Sequence, residues 1–144
     1  MFSKACEYAI RATLLVASHS LMDERVSVKD IAEATASPVA FTAKIMQQLN
    51  RGGILYSVQG KQGGFEMTRE QMQATKLSQI VTLIDGDRVF TGCGLGLREC
   101  NAKKPCPLHE RFSTVRGELK AMLDSTTVLD LALGLKDGLT FLRV

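Results

Sequence analysis

The sequence predicts a mainly α-helical fold with a small β-hairpin wing, namely a winged helix-turn-helix head followed by a long C-terminal dimerisation helix. Three patterns support this prediction: a short and a longer helix between residues 27 and 51, alternating segments around a glycine-rich tip at 54–68, and a heptad pattern after residue 107. We therefore divide the chain into a winged helix-turn-helix domain at 1–76 and a second part at 77–144. The second part holds a cysteine loop at 91–109, the dimerisation helix and a C-terminal tail.

Length and charge limit the classes of protein that fit. A chain of 144 residues suits one domain, and a net charge of +3 is only mildly basic. No run of eighteen apolar residues is present, so we expect no membrane span. Glu7 and Arg11 interrupt the apolar N-terminal stretch, which is unlike a signal peptide. With thiols clustered instead of spread as a disulfide framework, we expect a reducing, cytoplasmic location.

The first half has helix-turn-helix spacing. Residues 3–19 show a broad apolar helical face, and Ser27 begins a second, short helix that ends near Thr35. Ser37 and Pro38 are expected to open a third helix, with Ser37 as the cap. In that helix an apolar residue recurs at every fourth position and faces the core, at Phe41, Ile45 and Leu49.

The opposite face of the third helix is slim and polar enough for a DNA major groove. A glutamine pairs with an adenine edge, an alanine contacts a thymine methyl group, and lysine and arginine contact phosphates. The alternative is an ordinary solvated helix face, which has a similar composition. The candidate DNA-contacting residues of this helix are Ala40, Ala43, Lys44, Gln47 and Arg51.

A β-hairpin is predicted directly after this helix. Apolar and polar residues alternate over 54–58 and again over 65–68, and the connecting segment 59–64 contains three glycines. The tip adds Gln59 and Lys61 to the candidate DNA contacts. A glycine-rich tip is also found in nucleotide-phosphate loops, but those require a strand, a glycine loop and a helix in that order. A wing fits this order of elements better.

Three of the four cysteines, Cys93, Cys100 and Cys106, fall within fourteen residues, and His109 follows the last one. Glycines and prolines break regular structure around them, so the thiols lie on a loop that can fold around a ligand. Thiolate and imidazole are ligands that iron–sulfur clusters, zinc and copper select. The alternative is a set of reduced, inert cysteines.

The remaining segments connect the head to a partner. Residues 77–84 are predicted to form a short apolar helix, and a heptad seam follows Pro107. The seam predicts a homodimer, although packing within one chain is the alternative. Thr127 begins a last short helix, and the tail after Gly134 is left open, either loose or docked on a neighbour. The seam residues are Leu108, Phe112, Val115, Leu119 and Met122.

Several segments together resemble the Rrf2 family of bacterial regulators, which includes the IscR-like and NsrR-like iron–sulfur repressors. They are Tyr8-Ala9-Ile10-Arg11, Asp30-Ile31-Ala32, the run 49–55, the wing tip 60–65 and the three-cysteine loop. The resemblance covers residues 1–132. It implies a cytoplasmic homodimer that binds a nearly palindromic double-stranded DNA operator. In cluster-bearing members it also implies a change of affinity when an iron–sulfur cluster, 2Fe–2S or 4Fe–4S, is gained, lost or modified.

The resemblance implies Cys93, Cys100 and Cys106 as cluster ligands, with a fourth ligand in two versions. Some members use the position of His109, which we favour, and others use an acidic residue from the partner's first helix, matching Glu7 of the partner subunit. The chain departs from the family at Gln59, where an arginine is common, and at Ala43, where a polar or acidic residue is common. Both departures bear on the operator sequence.

Two other classes of function stay open. A zinc-dependent or cluster-free thiol-redox regulator would use the same cysteines, although zinc more often has ligand spacings of two to four residues. A small thiol oxidoreductase would need a nucleophile–base arrangement or a pair of cysteines two residues apart, and the sequence contains no such pair. We therefore expect neither an enzyme nor a small-molecule substrate.

Overall fold

The computed structural model describes residues 1–143, and those residues form eight helices and one two-stranded antiparallel sheet. The predicted fold class, mainly helical with a β-hairpin wing, is confirmed. In chain order the elements are α1 (Lys4–Ser20), α2 (Val28–Thr35), α3 (Val39–Arg51), β1 (Tyr56–Val58), β2 (Gly64–Glu66), α4 (Arg69–Ala74), α5 (Leu77–Asp85), α6 (Arg88–Thr91), α7 (His109–Ser125) and α8 (Val128–Lys136).

Side-chain caps fix where several helices begin. The hydroxyl of Ser27 accepts a hydrogen bond from the Asp30 amide at the start of α2, and the hydroxyl of Thr127 accepts one from Asp130 at the start of α8. Each bond satisfies a backbone N–H that has no partner inside the helix. Both predicted helix starts are confirmed.

Helix α1 lies at the centre of the hydrophobic core. It packs against α3 on one side and against α5 and α8 on another, with Ala9, Val16 and Ala17 fully buried. Ile80, from α5, and Val128, from α8, complete the same core. The core is therefore continuous across residue 76, and the division into two parts at that position stays a prediction.

A short backbone pairing joins the two halves away from α1. Lys76 and Thr127 form an isolated antiparallel bridge. The Leu77 amide donates to the Thr126 carbonyl at 3.0 Å, and the Val128 amide donates to the Thr75 carbonyl at 3.0 Å. The α4–α5 junction is thereby fixed to the α7–α8 junction.

The wing is the β1–β2 hairpin, in which Ser57 lies opposite Phe65. Val26, before α2, pairs with Phe65 on the other edge of β2 through backbone hydrogen bonds of 2.8 and 3.1 Å. Gly64 has a φ of +142°, and a Cβ there would lie 2.8 Å from the Val26 carbonyl oxygen. A side chain at residue 64 would therefore separate the wing from the α1–α2 turn.

Two local predictions differ from the structure. The cap of α3 is Pro38 instead of Ser37, because the Ser37 hydroxyl is hydrogen-bonded to the hydroxyls of Thr35 and Thr42. The tail is docked on its own chain: α8 continues through Gly134, and Leu142 packs against the core.

None of the helices within residues 1–143 is both long enough and apolar enough to cross a membrane.

Candidate DNA-binding surface and cysteine loop

The turn between α2 and α3 sets the angle of the exposed helix. Helix α2 ends at Ala36, which adopts the left-handed conformation (φ 52°, ψ 47°) and donates its amide to Glu33. Hydroxyl groups then link the two helices: Thr35 to Ser37 at 2.9 Å, and Ser37 to Thr42 at 2.5 Å. Thr42 also donates to the Pro38 carbonyl, so hydroxyl hydrogen bonds connect the end of α2, the turn and the first residues of α3.

Helix α3 presents the face that the sequence predicted. Ile45 and Leu49 are buried, as expected, whereas Phe41 is half-buried and packs edge-to-face on Tyr8 of α1, with ring centroids 5.5 Å apart. Ala43 is half-buried at the edge of the exposed face. The remaining candidates on this helix are exposed: Ala40, Lys44, Gln47 and Arg51.

The cations on this surface are available to an external partner. Lys44, Arg51 and Lys61 are exposed, and none of them takes part in an ion pair within residues 1–143. Gln59 and Lys61 project from the exposed tip of the wing. Positive side chains without a protein counter-ion suit contacts with phosphate groups.

Arg25 anchors the wing against the head. Its Nε lies 3.1 Å from a carboxylate oxygen of Glu66, and its Nη1 donates to the Gln62 carbonyl at 3.3 Å. Tyr56 donates its hydroxyl to the same carboxylate, and this hydrogen bond raises the pKa of Tyr56. The sequence analysis missed Arg25, which the polar turn between α1 and α2 had made look like a solvated charge.

The cysteine loop leaves α6, passes over the start of α7 and brings its predicted ligands into two pairs. The Cys106 side chain lies beside Cys93 and lowers the pKa of its thiol, and the Cys100 sulfur lies 3.4 Å from Nδ1 of His109. All four side chains are half-buried. The four do not converge on one point: within residues 1–143, no three Cys, His, Asp or Glu side chains are placed to hold a single metal ion.

Arg116 is the residue of this site that the sequence analysis missed. It donates through Nη2 to the Cys100 sulfur at 3.3 Å and through Nε to the Phe90 carbonyl at 3.2 Å. It lies seven residues after His109, on the same face of α7, and this spacing was the signal available in the sequence. Arg116 thereby connects α6, the loop and α7.

The electrostatic surroundings favour a thiolate at Cys93. Hydrogen bonds from the backbone of Leu95 and Leu97 lower the pKa of the Cys93 thiol, and the bond with Cys106 and the charge of Arg116 lower it further. Negative charge on a sulfur is stabilised by N–H donors and by a nearby guanidinium.

The other ligand candidate of the first helix lies in a different environment. Glu7 is half-buried on α1 and forms an ion pair with Lys4 at 3.1 Å. The adjacent Cys6 is fully buried, and burial, followed by the neighbouring Asp85, raises the pKa of its thiol to about 12. Cys6 is thus a residue of the core.

The predicted seam of α7 divides into two rows. Leu119 is half-buried against the chain's own core, and Phe112 is half-buried beside Gly94 of the cysteine loop. Leu108, Val115 and Met122 recur every seventh residue and are exposed, Val115 by 59% and Met122 by 49%. These three side chains form an exposed apolar row on α7.

Comparison with known proteins identifies the chain. The sequence profile of the Rrf2 family, described as iron-dependent transcriptional regulators, matches residues 2–133. A candidate HTH-type transcriptional regulator of Aquifex aeolicus is 30% identical over 133 residues, which cover 91% of this chain and 90% of that protein. The regulator IscR of Yersinia pseudotuberculosis is 26% identical over 124 residues, covering 86% and 74% of the two chains.

A solved structure has the same fold. CymR, the global cysteine regulator of B. subtilis, superposes with a TM-score of 0.73 at 21% identity, covering 92% of this chain and 96% of that one. The span matched by the family profile, residues 2–133, includes the head, the cysteine loop and α7. The chain therefore belongs to the Rrf2 family of DNA-binding transcriptional regulators.

Proposed function

We propose that this regulator is a cytoplasmic homodimer that senses redox state, nitric oxide or iron–sulfur status through a cluster held by Cys93, Cys100, Cys106 and His109. The observation that carries the proposal is the pairing of these side chains against the start of α7, with Arg116 donating to the Cys100 sulfur.

The donor set fits an iron–sulfur cluster. Three sulfurs and one imidazole are suitable ligands, and donors from Arg116 and the Leu95 and Leu97 backbone offset the negative charge of cysteine-ligated iron. Two pairs of donors suit two irons better than one zinc ion, which requires four ligands at a single point. When bound, the cluster supplies a redox-active group that reacts with oxidants or nitric oxide.

His109 is the fourth ligand that the geometry supports best. Its Nδ1 already lies beside the Cys100 sulfur, whereas Glu7 lies on α1 and is paired with Lys4. Imidazole forms a weaker and more easily protonated bond to iron than thiolate does. This ligand would therefore be the first to release, and the alternative, Glu7 of the partner subunit, shares that property.

The head would read DNA through α3 and the wing. We assign Gln47, Ala40 and Ala43 to base edges in the major groove, and Lys44 and Arg51 to phosphates. Gln59 and Lys61 of the wing tip would contact the adjacent backbone or minor groove.

Dimerisation would place two such heads on a nearly palindromic operator. The exposed row Leu108, Val115 and Met122 has the seven-residue spacing of a helix pair. Because the cysteine loop connects α6 to α7, ordering of the loop would alter the distance between the two α3 helices. Half-sites one DNA turn apart tolerate little change in that distance.

Anaerobic purification followed by absorbance and by iron and sulfide analysis tests the cluster. We expect a brown protein with two irons and two sulfides per chain if the cluster is 2Fe–2S, with four of each marking 4Fe–4S. Cys93→Ala and His109→Ala should lose iron, whereas Cys6→Ala, which removes a thiol outside the loop, should retain it. If Glu7→Ala lost iron and His109→Ala retained it, the fourth ligand would be Glu7 of the partner subunit instead of His109.

Operator affinity tests the switch. A binding sequence selected from random duplexes is titrated with cluster-loaded and cluster-free protein, and with Cys93→Ala under both conditions. The wild-type affinity should differ severalfold between the two states, and the variant should show no difference. Equal wild-type affinities would exclude control by the cluster. Lys44→Glu should weaken DNA binding in both states.

A cluster-free thiol-redox regulator is the second candidate, because the Cys106 side chain lies beside the Cys93 thiol and lowers its pKa. Peroxide would oxidise the pair to a disulfide, taking two electrons and two protons and being reduced to water. This protein would be colourless after anaerobic purification and would lose two titratable thiols on oxidation, with recovery after dithiothreitol.

A further inference from the structure

A cavity of about 300 Å³ lies between α1, the end of α2 and the C-terminal tail. The residues that line it are outside the cysteine loop. This volume is at the lower end of the range for small-molecule sites. Its walls are mainly apolar, with Leu15 from α1 and Leu135 from α8 among them. The cavity has no part in DNA contact or in cluster binding as described above.

The charged residues that line this cavity within residues 1–143 are both positive. They are Arg11 and Arg143, and no acidic residue of that range lines it. The guanidinium of Arg11 lies over the Tyr8 ring, 4.6 Å from the centroid, and forms no ion pair within residues 1–143. An arginine stacked in this way is held in place while its N–H groups stay available to an anion.

Hydrogen bonds hold the C-terminal tail, which lines the cavity, against the rest of the chain. Gly138, with a φ of +70°, ends α8, and the Leu139 amide donates to the Gly134 carbonyl at 2.9 Å, which reverses the chain. Arg143 then donates to the Glu33 carbonyl at 3.3 Å. Phe141 is held at the cavity edge with 77% of its surface exposed, although it is one of the largest apolar side chains. An apolar ligand would cover this ring.

We propose that this cavity binds a small amphipathic carboxylate, with its anionic group on Arg11 and its apolar body between Leu15, Leu135 and Phe141. The two arginines select the charge, since no acidic residue within 1–143 lines the cavity, and the apolar walls select the body of the ligand.

Two contacts connect the cavity to the DNA-reading helix. Tyr8, below Arg11, packs edge-to-face on Phe41 of α3. Thr35 lines the cavity and begins the hydroxyl chain through Ser37 to Thr42 of α3. A bound carboxylate therefore acts as an effector that alters the position of α3. This role rests on DNA binding by α3, whereas the binding site itself does not.

Calorimetric titration of the full chain, without DNA, tests the site. The probes are straight-chain carboxylates from butanoate to octanoate and phenylacetate, each with its neutral amide. We expect saturable binding of at least one acid, and at least about tenfold weaker binding of its amide. Arg11→Gln should weaken acid binding about ten- to a hundredfold. The matched control Lys136→Gln removes a charge from α8 outside the cavity and should change nothing.

Saturable binding by none of the acids, equal affinity for acid and amide, or equal weakening in the control would each overturn the proposal. If Arg11→Gln does not fold, Ala34→Met fills the cavity from α2 at constant charge and should abolish binding; full affinity in that variant would also overturn it. Because this titration uses neither DNA nor a cluster, its outcome does not depend on whether the proposed sensing function is correct. For the effector role, saturating acid should change operator affinity severalfold, and an unchanged affinity excludes that role.

Discussion

Ala36 carries a local strain that a single substitution can relieve. It is exposed and left-handed, a conformation that costs a residue with a Cβ about 1 kcal/mol relative to glycine. We expect Ala36→Gly to raise the free energy of unfolding by about 0.5–1 kcal/mol. Thermal or urea unfolding measures this. Ala121→Gly, at an exposed position inside α7, is the matched control and should lower stability by about 1 kcal/mol. If both variants changed the free energy of unfolding in the same direction, the strain assigned to Ala36 would be contradicted.

Cys6 makes stability sensitive to high pH. Its thiol pKa is raised from 9.0 to about 12 in the folded protein, because burial penalises the thiolate and Asp85 adds to that effect. The folded state therefore holds this proton more tightly than the unfolded state does. The stabilisation is complete below about pH 9 and is lost as the pH rises towards 12. Urea unfolding across this pH interval should show that the free energy of unfolding declines less steeply with pH in Cys6→Ala than in wild type. Parallel declines in the two proteins would contradict the raised pKa of Cys6.

At the scale of elements, the cysteine loop depends on its fit against α7. A Cβ at Gly94 would lie 2.6 Å from the ring of Phe112, so the loop approaches the helix as closely as a glycine allows. We expect Gly94→Ala to displace the loop at a cost of about 1–3 kcal/mol. Iron content after anaerobic purification should fall severalfold. Gly117→Ala, whose Cβ meets nothing within 4 Å, should retain iron and stabilise α7. Full iron retention in Gly94→Ala would show that the fit is not required.

Elements whose signal is local could be predicted from the sequence. The hydroxyl caps at Ser27 and Thr127 fixed two helix starts, and alternation around a glycine tip predicted the wing. Ser37 was misassigned as a cap because its hydroxyl has two partners, Thr35 and Thr42, that are close only after folding. The four-residue helix α6 is too short for any periodic pattern.

The candidate site was predictable in composition but not in arrangement. The four loop donors could be named from residue type and spacing, whereas their division into pairs depends on how a loop without regular structure crosses α7. Arg116 and Arg25 look like surface charges in the sequence, since only folding brings the Cys100 sulfur and Glu66 to them. Long-range contacts of this kind leave no periodic signal.

At the scale of the molecule, the exposed row on α7 predicts the effect of disrupting the proposed dimer. Val115→Glu places two like charges at the centre of a helix pair, which we expect to give a monomer in analytical ultracentrifugation. Operator affinity should fall at least about tenfold, because two linked heads bind far better than one. Ser113→Glu, exposed on the opposite side of the same helix, should stay dimeric. A dimeric Val115→Glu would locate the interface elsewhere.

The backbone pairing at the end of α7 makes this helix a lever. Thr126 is held by Leu77, and Val128 by Thr75, whereas Phe112 in the first turn of the helix lies against Gly94 of the cysteine loop. A 17-residue helix spans roughly 25 Å, so a tilt of about five degrees around the fixed end moves the other end by about 2 Å. The cysteine loop thus contacts the end of α7 that would move furthest, and the fixed end is hydrogen-bonded to the backbone at Thr75 and Leu77. In the proposed dimer, a small change around the cysteines would therefore be amplified into a larger change in the distance between the two heads.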